Sequence, residues 1–346
     1  MTGEGVIHST VDHGDITKLP PLVLGGATVN TQYNDDPTKI PLVDMLRCGF
    51  NHGIKAIDTS PYYGPSELFY GKALEHIRDE FPRNSYYICT KVGRIQLDDF
   101  DYSRKHVRFS VLRSCQRLKT DYLDLVYLHD VEFVPMQQSL EALKELKLLK
   151  DEGIIKNFGI SGYPIDYLYH LTKHCAHNVP EIGPLDAVLS YCNLNLQNTR
   201  LCDYWPHWKY DAHLKMINNG SILSMSLLRS QETRVFHPCS QRLRQLATQA
   251  AEYCSEQGVE LADLASRYAM AEWLNKGSTV LGVSNVEELE VALKSYWTVL
   301  HHDGRLSEND QALVSHIQNN IFGSHMNEVW PSGIPHPELT NDNDKE

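Results

Sequence analysis

The stretch Ile54-Lys55-Ala56-Ile57-Asp58-Thr59-Ser60-Pro61-Tyr62-Tyr63-Gly64 decides how this chain is read. Ile54, Ala56 and Ile57 form a short apolar, β-branched run of the kind that fills a strand buried on both faces. Asp58 ends the run, and Ser60-Pro61 turns the chain out of extended structure. A carboxylate thus stands at the carboxyl end of a buried strand, with the Tyr63 phenol following in the next loop. In α/β sheets and barrels that end of the strands carries the chemistry. On this stretch alone, a turn-capping aspartate and a packed loop tyrosine explain the pattern equally well, so the rest of the chain must arbitrate.

Outward from it, short apolar runs alternate with amphipathic ones. Residues 21–27 read as a strand ending in Gly25-Gly26, where backbone can approach a ligand closely. Leu42, Met45, Leu46, Gly49 and Phe50 share one helical face. Downstream come a helix over 66–78, a strand over 86–92 carrying Lys91, and a helix marked by Val107, Val111, Cys115 and Leu118. A strand over 122–128 then delivers His129-Asp130. A helix through Leu143 and Leu146 precedes a strand over 154–160, which leads to Ser161-Gly162. Pro164 opens the next helix, and residues 185–191 form a strand. The pattern then predicts a helix near 209–218, a strand over 221–226, helices near 240–257 and 261–268, a last strand over 279–283 and a helix over 286–297.

Strands that alternate with helices pair in parallel. Eight such units over roughly 260 residues predict a closed (β/α)8 TIM barrel of the α/β class, with further helices at the C-terminal end. A doubly wound sheet is the alternative, but no Gly-x-Gly-x-x-Gly follows any strand, so a Rossmann-type dinucleotide site has no support. Residues 19–337 read as the barrel domain, 1–18 as a loose N-terminal arm and 338–346 as a disordered tail.

Composition narrows the function. The 346 residues are 42% hydrophobic and 22% charged, with a net charge of −12. Nucleic acid and anionic membranes attract basic surfaces, so neither is expected as a partner. No run approaches the length of a membrane span and no secretory core opens the chain, so a cytoplasmic protein, taken as a monomer, is expected. The eight cysteines include no Cys-x-x-Cys pair and read as reduced, mostly buried thiols. The seventeen histidines show no metal-ligand spacing, so no metal is expected.

In a barrel, Asp58, Tyr63, Lys91 and His129 converge on one mouth. A phenol with its reference pKa near 10 is a poor acid or base at neutral pH. A neighbouring ammonium favours the phenolate and lowers that value, and a carboxylate keeps the ammonium charged and placed. An imidazole beside them can orient a hydroxyl or carbonyl. Such a set suits proton transfer coupled to hydride transfer. Each residue alone has a bland explanation; four in register make it improbable.

At these residues the chain resembles the aldo-keto reductases. The matching segments are Asp-Thr-Ser-Pro-Tyr-Tyr-Gly at 58–64, Thr-Lys-Val-Gly at 90–93, Leu-Asp-Leu-Val-Tyr-Leu-His at 123–129 and Phe-Gly-Ile-Ser-Gly-Tyr at 158–163. The resemblance implies a nicotinamide cofactor lying across the mouth, Tyr63 as general acid/base, Lys91 and Asp58 as its tuners, and His129 as the residue that orients substrate. Within the family, the segments at 57–67, 188–198 and 332–338 look closest to members that dehydrogenate sugars. They imply oxidation of the anomeric carbon of an aldose (D-arabinose, L-galactose or L-fucose) to a lactone, in an ascorbate- or erythroascorbate-type pathway. An NADPH-dependent aldehyde or ketone reductase and a nicotinamide-binding regulatory subunit are the competing readings.

For the cofactor, the resemblance implies contacts from Gly26, Ala27, Asp58, Ser161, Ser190, Ser226, Leu228, Gly282, Ser284 and Glu288. Two departures stand out. Gly162 occupies the position where many members carry an asparagine that holds the nicotinamide amide, and Met225 aligns with their stacking aromatic. After the last strand, Gly282 and Glu288 align with a lysine and an arginine that pair with the 2′-phosphate in NADP-using members. A carboxylate there would accept a bond from a free ribose hydroxyl and repel a phosphate, which implies NAD. Glu287, Glu288 and Glu290 equally suit the acidic first turn of a helix.

Overall fold

Side-chain parity along the strands determines what enters the barrel. In the computed structural model, which describes residues 10–339, eight parallel strands close on themselves in chain order. They are β1 (Leu22–Gly25), β2 (Ala56–Asp58), β3 (Tyr87–Val92), β4 (Leu123–His129), β5 (Ile155–Gly162), β6 (Ala187–Tyr191), β7 (Met216–Gly220) and β8 (Ser278–Gly282). Alternate residues of a strand face the same way. Ala56, then Tyr87 and Cys89, then Leu125 and Tyr127 point inward and fill the interior. The next residues of the same parity are Asp58, Lys91 and His129, so the barrel's own period lifts them to its upper rim. The register agrees: Asp58 lies opposite Cys89, Lys91 opposite Tyr127 and His129 opposite Ser161.

Helices α1 (Leu42–Asn51), α2 (Ser66–His76), α3 (Arg104–Arg117), α4 (Met136–Asp151), α5 (Ile165–Asn178) and α6 (Arg200–Tyr210) cover the outward faces of the first strands. Helices α7 (Gln241–Glu256), α8 (Leu261–Trp273), α9 (Val286–His301) and α10 (Glu308–His316) complete the coat. Leu143, Leu146 and Leu149 of α4 are fully buried against it, as their spacing predicts. An antiparallel pair, Arg94–Gln96 and Asp99–Phe100, rises from the loop after β3. Among the described residues no helix is long and apolar enough to cross a membrane. All eight cysteines are unpaired, five of them buried.

Two expectations need correction. The helix expected near 209–218 is α6, which ends at Tyr210, and residues 216–220 are strand β7. The strand expected over 221–226 is instead a loop, in which Ser221, Ser224, Met225 and Ser226 all adopt positive φ. Polarity hid the true strand: Asn218 and Asn219 lie inside it, buried and bonded to Tyr127 Oη at 2.6 Å and Leu194 O at 3.0 Å. An amide whose Nδ2 is bonded can line a barrel, but it breaks the apolar run on which strand recognition relies.

The second concerns the arm. Residues 10–18 are docked under the barrel: Ile16 is fully buried in the interior cluster and Val11 N bonds Asn84 O at 2.9 Å. His13 pairs with the buried Asp124, which also takes Arg83 at 2.7 Å. Residues 1–9 lie outside the described residues, as do 340–346 of the expected tail. Pro337–Leu339 form a short helical turn.

Candidate active site

Asp58 ends β2, Lys91 stands next to last in β3 and His129 ends β4. Asp58 and Lys91 are 4% and 1% exposed. Lys91 Nζ donates to Asp58 Oδ1 and, at 3.0 Å, to Thr59 O. The turn opened by Ser60-Pro61 closes with Tyr63 N on Ser60 O at 3.1 Å. It sets the Tyr63 ring over Lys91, with Nζ 4.9 Å from the ring centre. The same ring meets His129 edge-on, at 5.5 Å and 90°. The structure therefore brings all four residues together.

Their charge states follow from burial and neighbours. Burial pulls Lys91 down, but Asp58 and Tyr63 more than reverse this, and the ammonium is held above its ordinary value. Burial raises the Asp58 carboxyl, with Lys91 offsetting only part of the rise. Both values are raised, which favours the charged ammonium but the neutral carboxyl; the direct contact of Nζ with Oδ1 pairs the two groups. Burial also pushes the Tyr63 phenol up to about 12 despite Lys91. Tyr63 is only partly buried by area, so water relieves some of this cost. This corrects the expectation that Lys91 brings the phenol below its reference value: the ammonium acts in that direction, and burial outweighs it.

His129 is neutral, because burial pulls it down to about 3. Ser60 Oγ accepts from Tyr62 N at 3.1 Å and pairs with His129 Nδ1 at 3.0 Å. Where Ser60 donates in that pair, Nδ1 accepts and Nε2 carries the proton. That Nε2 lies 3.6 Å from Asp130 Oδ2, and Asp130 in turn holds Arg94, whose guanidinium covers the Tyr62 ring at 4.2 Å. The mouth thus offers a proton-bearing phenol and an imidazole N–H, with a fixed cation beneath the phenol. A hydroxyl or carbonyl oxygen placed between phenol and imidazole could be protonated or deprotonated and held at once.

Apart from Asp58, the residues expected at the cofactor divide into two groups. Gly26, Ser161, Ser190 and Leu228 are buried and engaged by the fold. Gly26 N bonds Asp58 O at 2.6 Å, Ser161 Oγ donates to Leu128 O at 3.2 Å, Ser190 Oγ accepts from Asn193 at 3.0 Å, and Leu228 packs under α7. Ala27, Ser226, Gly282, Ser284 and Glu288 are partly or fully open. Glu288 also takes part in the helix cap: Asn285 Oδ1 accepts Glu288 N, and Glu288 Oε2 accepts the N–H of Ser284, just before the cap, both at 2.7 Å. The helix does start at Val286 with Glu287 and Glu288, though not Glu290, in its first turn, leaving only part of the Glu288 carboxylate for a ligand.

Sequence reasoning missed several neighbours. Ser60 sits in the quoted stretch, but its bond to His129 spans 69 residues. Tyr191, at the end of β6, stands close to Tyr33 and Tyr63. Arg229, from the loop after β7, lies near Glu288 and has a buried Nε with no partner among the described residues. A cation thus approaches the acidic segment that the sequence showed without one.

A strand-end cluster of this kind in a (β/α)8 barrel defines an oxidoreductase class, and the chain belongs to the aldo/keto reductase family, whose model matches residues 21–304. It is 60% identical over 334 residues to D-arabinose 1-dehydrogenase of Saccharomyces cerevisiae, covering 96% of this chain and 100% of that protein. It is 34% identical to L-galactose dehydrogenase of Arabidopsis thaliana, over 84% of this chain and 87% of the relative. An aldo-keto reductase structure from Bacillus halodurans superposes with a TM-score of 0.64 at 20% identity, covering 89% of this chain and 95% of that one, which supports the fold alone.

Proposed function

We propose that this protein is an NAD-dependent aldose 1-dehydrogenase that oxidises the anomeric carbon of D-arabinose, and of L-galactose and L-fucose, to the lactone. The observation that carries this reading is the near full-length identity to a D-arabinose 1-dehydrogenase, with the clustered phenol, ammonium, carboxylate and imidazole consistent with the reaction. Tyr63 takes the proton of the anomeric hydroxyl, and His129 Nε2–H donates to the same oxygen and orients it. Lys91, held by Asp58, stabilises the phenolate. When bound, an oxidised nicotinamide supplies the hydride acceptor and a positive charge beside the phenol. A panel of aldoses assayed for kcat/KM with NAD and with NADP tests the assignment. Strong turnover of D-glucose with none of D-arabinose would overturn it.

The preference for NAD rests on Gly282 and Glu288. Gly282 is exposed, and a Cβ added there would meet only Thr28 Cγ2, at 3.5 Å, so Gly282→Lys is sterically open. Combined with Glu288→Arg, it should raise NADP affinity and weaken NAD. Loss of the capping bond should cost about 1 kcal/mol of stability. Cofactor titration followed by fluorescence reads the first effect and thermal melting the second. An unchanged preference would move discrimination elsewhere, with Arg229 the nearest alternative.

A further inference from the structure

Beyond the reacting groups, one buried acid organises the mouth. Glu132 is 1% exposed and stands three residues past His129. Its Oε1 accepts from Tyr163 N and from Ser332 Oγ, both at 3.1 Å, while Oε2 is buried with no partner among the described residues. Its backbone carbonyl takes Ile334 N and His336 Nε2, both at 2.9 Å. Two glycines make room for it. A Cβ at Gly162 would lie 2.3 Å from Oε2, and one at Gly333, where φ is +81°, would lie 2.2 Å from Glu132 O. The Glu132 carboxyl therefore fills the space a side chain at position 162 would take, which explains why Ser161 is followed by glycine.

The segment 327–339 that Glu132 grips is largely surface chain. It begins on the loop after β6, where Asn327 N bonds Gln197 O at 2.9 Å. It then stacks Trp330 on Tyr163 at 4.6 Å and ends on α5, where His336 stacks on Tyr167 at 3.6 Å. All these supports belong to the carboxyl-end rim, beside Ser161 and His129. We propose that Glu132 is a positioning residue that latches 327–339 across the rim and so sets how tightly the sugar side of the site closes. The latch stands on the geometry alone; its effect on the sugar rests on the function proposed above.

The latch depends on a proton. The charged and titratable groups facing Glu132 are Asp130 beside it, Tyr102 and Arg94 on one flank, Tyr163 and Tyr167 from α5 and its approach, and His336 and Glu338 from the strap. Arg94 bonds Asp130, and His336 reaches the backbone oxygen rather than the carboxyl. An ionised carboxyl there would be buried without a cation bonded to it, a costly state. Burial, with Asp130 adding to it, pushes Glu132 up to about 8. A freed strap exposes the acid and returns it to the ordinary carboxyl range. The latched form thus binds the extra proton between that range and about 8. Rising pH across this window loosens the strap, by about tenfold per unit, and has no further effect above it.

Hydrogen exchange over 327–339 and sugar kinetics on the full chain test this. Glu132→Ala should speed strap exchange at least tenfold while the barrel strands stay protected. It should raise the KM for D-arabinose about tenfold, with kcat and NAD affinity within about twofold. Glu132→Gln keeps the shape and stays neutral, so its strap should remain closed. The ratio of wild-type to Glu132→Gln exchange should climb with pH and level off near 8. Gly333→Ala, which pushes the strap from its side, should mimic Glu132→Ala if that variant folds poorly. Strap exchange unchanged in both variants, a loosened strap with unchanged KM, or a flat pH ratio would each overturn the proposal. If the wild type oxidises no aldose, the functional reading fails, while the exchange still decides the latch.

Discussion

Tyr63→Phe should lower kcat for sugar oxidation by about 10² to 10⁴, the usual worth of a positioned acid or base. Cofactor affinity should change little, because the ring and its contact with Lys91 survive the loss of one oxygen. The pH profile adds a second signature. Burial holds the phenol high, up to about 12, so the proton-accepting form is scarce at neutral pH and grows as pH rises. Wild-type oxidation should therefore climb with pH on the alkaline side, and the residual activity of Tyr63→Phe should lose that climb. Cofactor titration and pH-dependent steady-state kinetics provide both measurements. A variant with near-normal turnover would remove the phenol from the mechanism.

Lys91→Met should damage stability and activity together, and the two can be separated. Lys91 and Asp58 are both buried, and removing one partner of such a pair leaves an uncompensated charge, at a cost of about 3–5 kcal/mol. The melting temperature should fall accordingly. Activity should fall at least about a hundredfold, since the phenolate loses its stabilising cation. Adding Asp58→Asn removes the stranded carboxylate and should restore much of the stability but none of the rate. A double variant that regains activity would show that Lys91 serves packing rather than chemistry.

The barrel and its four-residue cluster were legible in the sequence for the same reason. Apolar runs mark strands, and a polar residue ending such a run, as Asp58 and His129 do, stands out against it. Where polarity lay inside the barrel the signal failed. Asn218 and Asn219 made β7 look like the tail of a helix, because nothing local reveals that Tyr127, 91 residues away, accepts from the first of them. Glu132 was illegible on the same grounds. It reads as an ordinary loop acid until Ser332, 200 residues on, is seen to close over it. Glu288 failed differently: one carboxylate fits both a helix cap and a ribose contact, and the sequence cannot rank the two.

The seam where β8 meets β1 carries a consequence for how the molecule is assembled. Gly25 sits opposite Gly282, and Thr28 Oγ1 reaches Val283 O at 2.8 Å across 255 residues of chain. The candidate catalytic side chains stand on β2 to β4 and the loop after β2, whereas Gly282, Ser284 and Glu288 lie at the far end of the chain. The two halves of the candidate site therefore become neighbours only when the first and last strands pair, the contact of longest range in the barrel. A dinucleotide bound across that seam, as proposed, would recognise only the closed ring, so by mass action its concentration would bear directly on how much of the chain is fully folded.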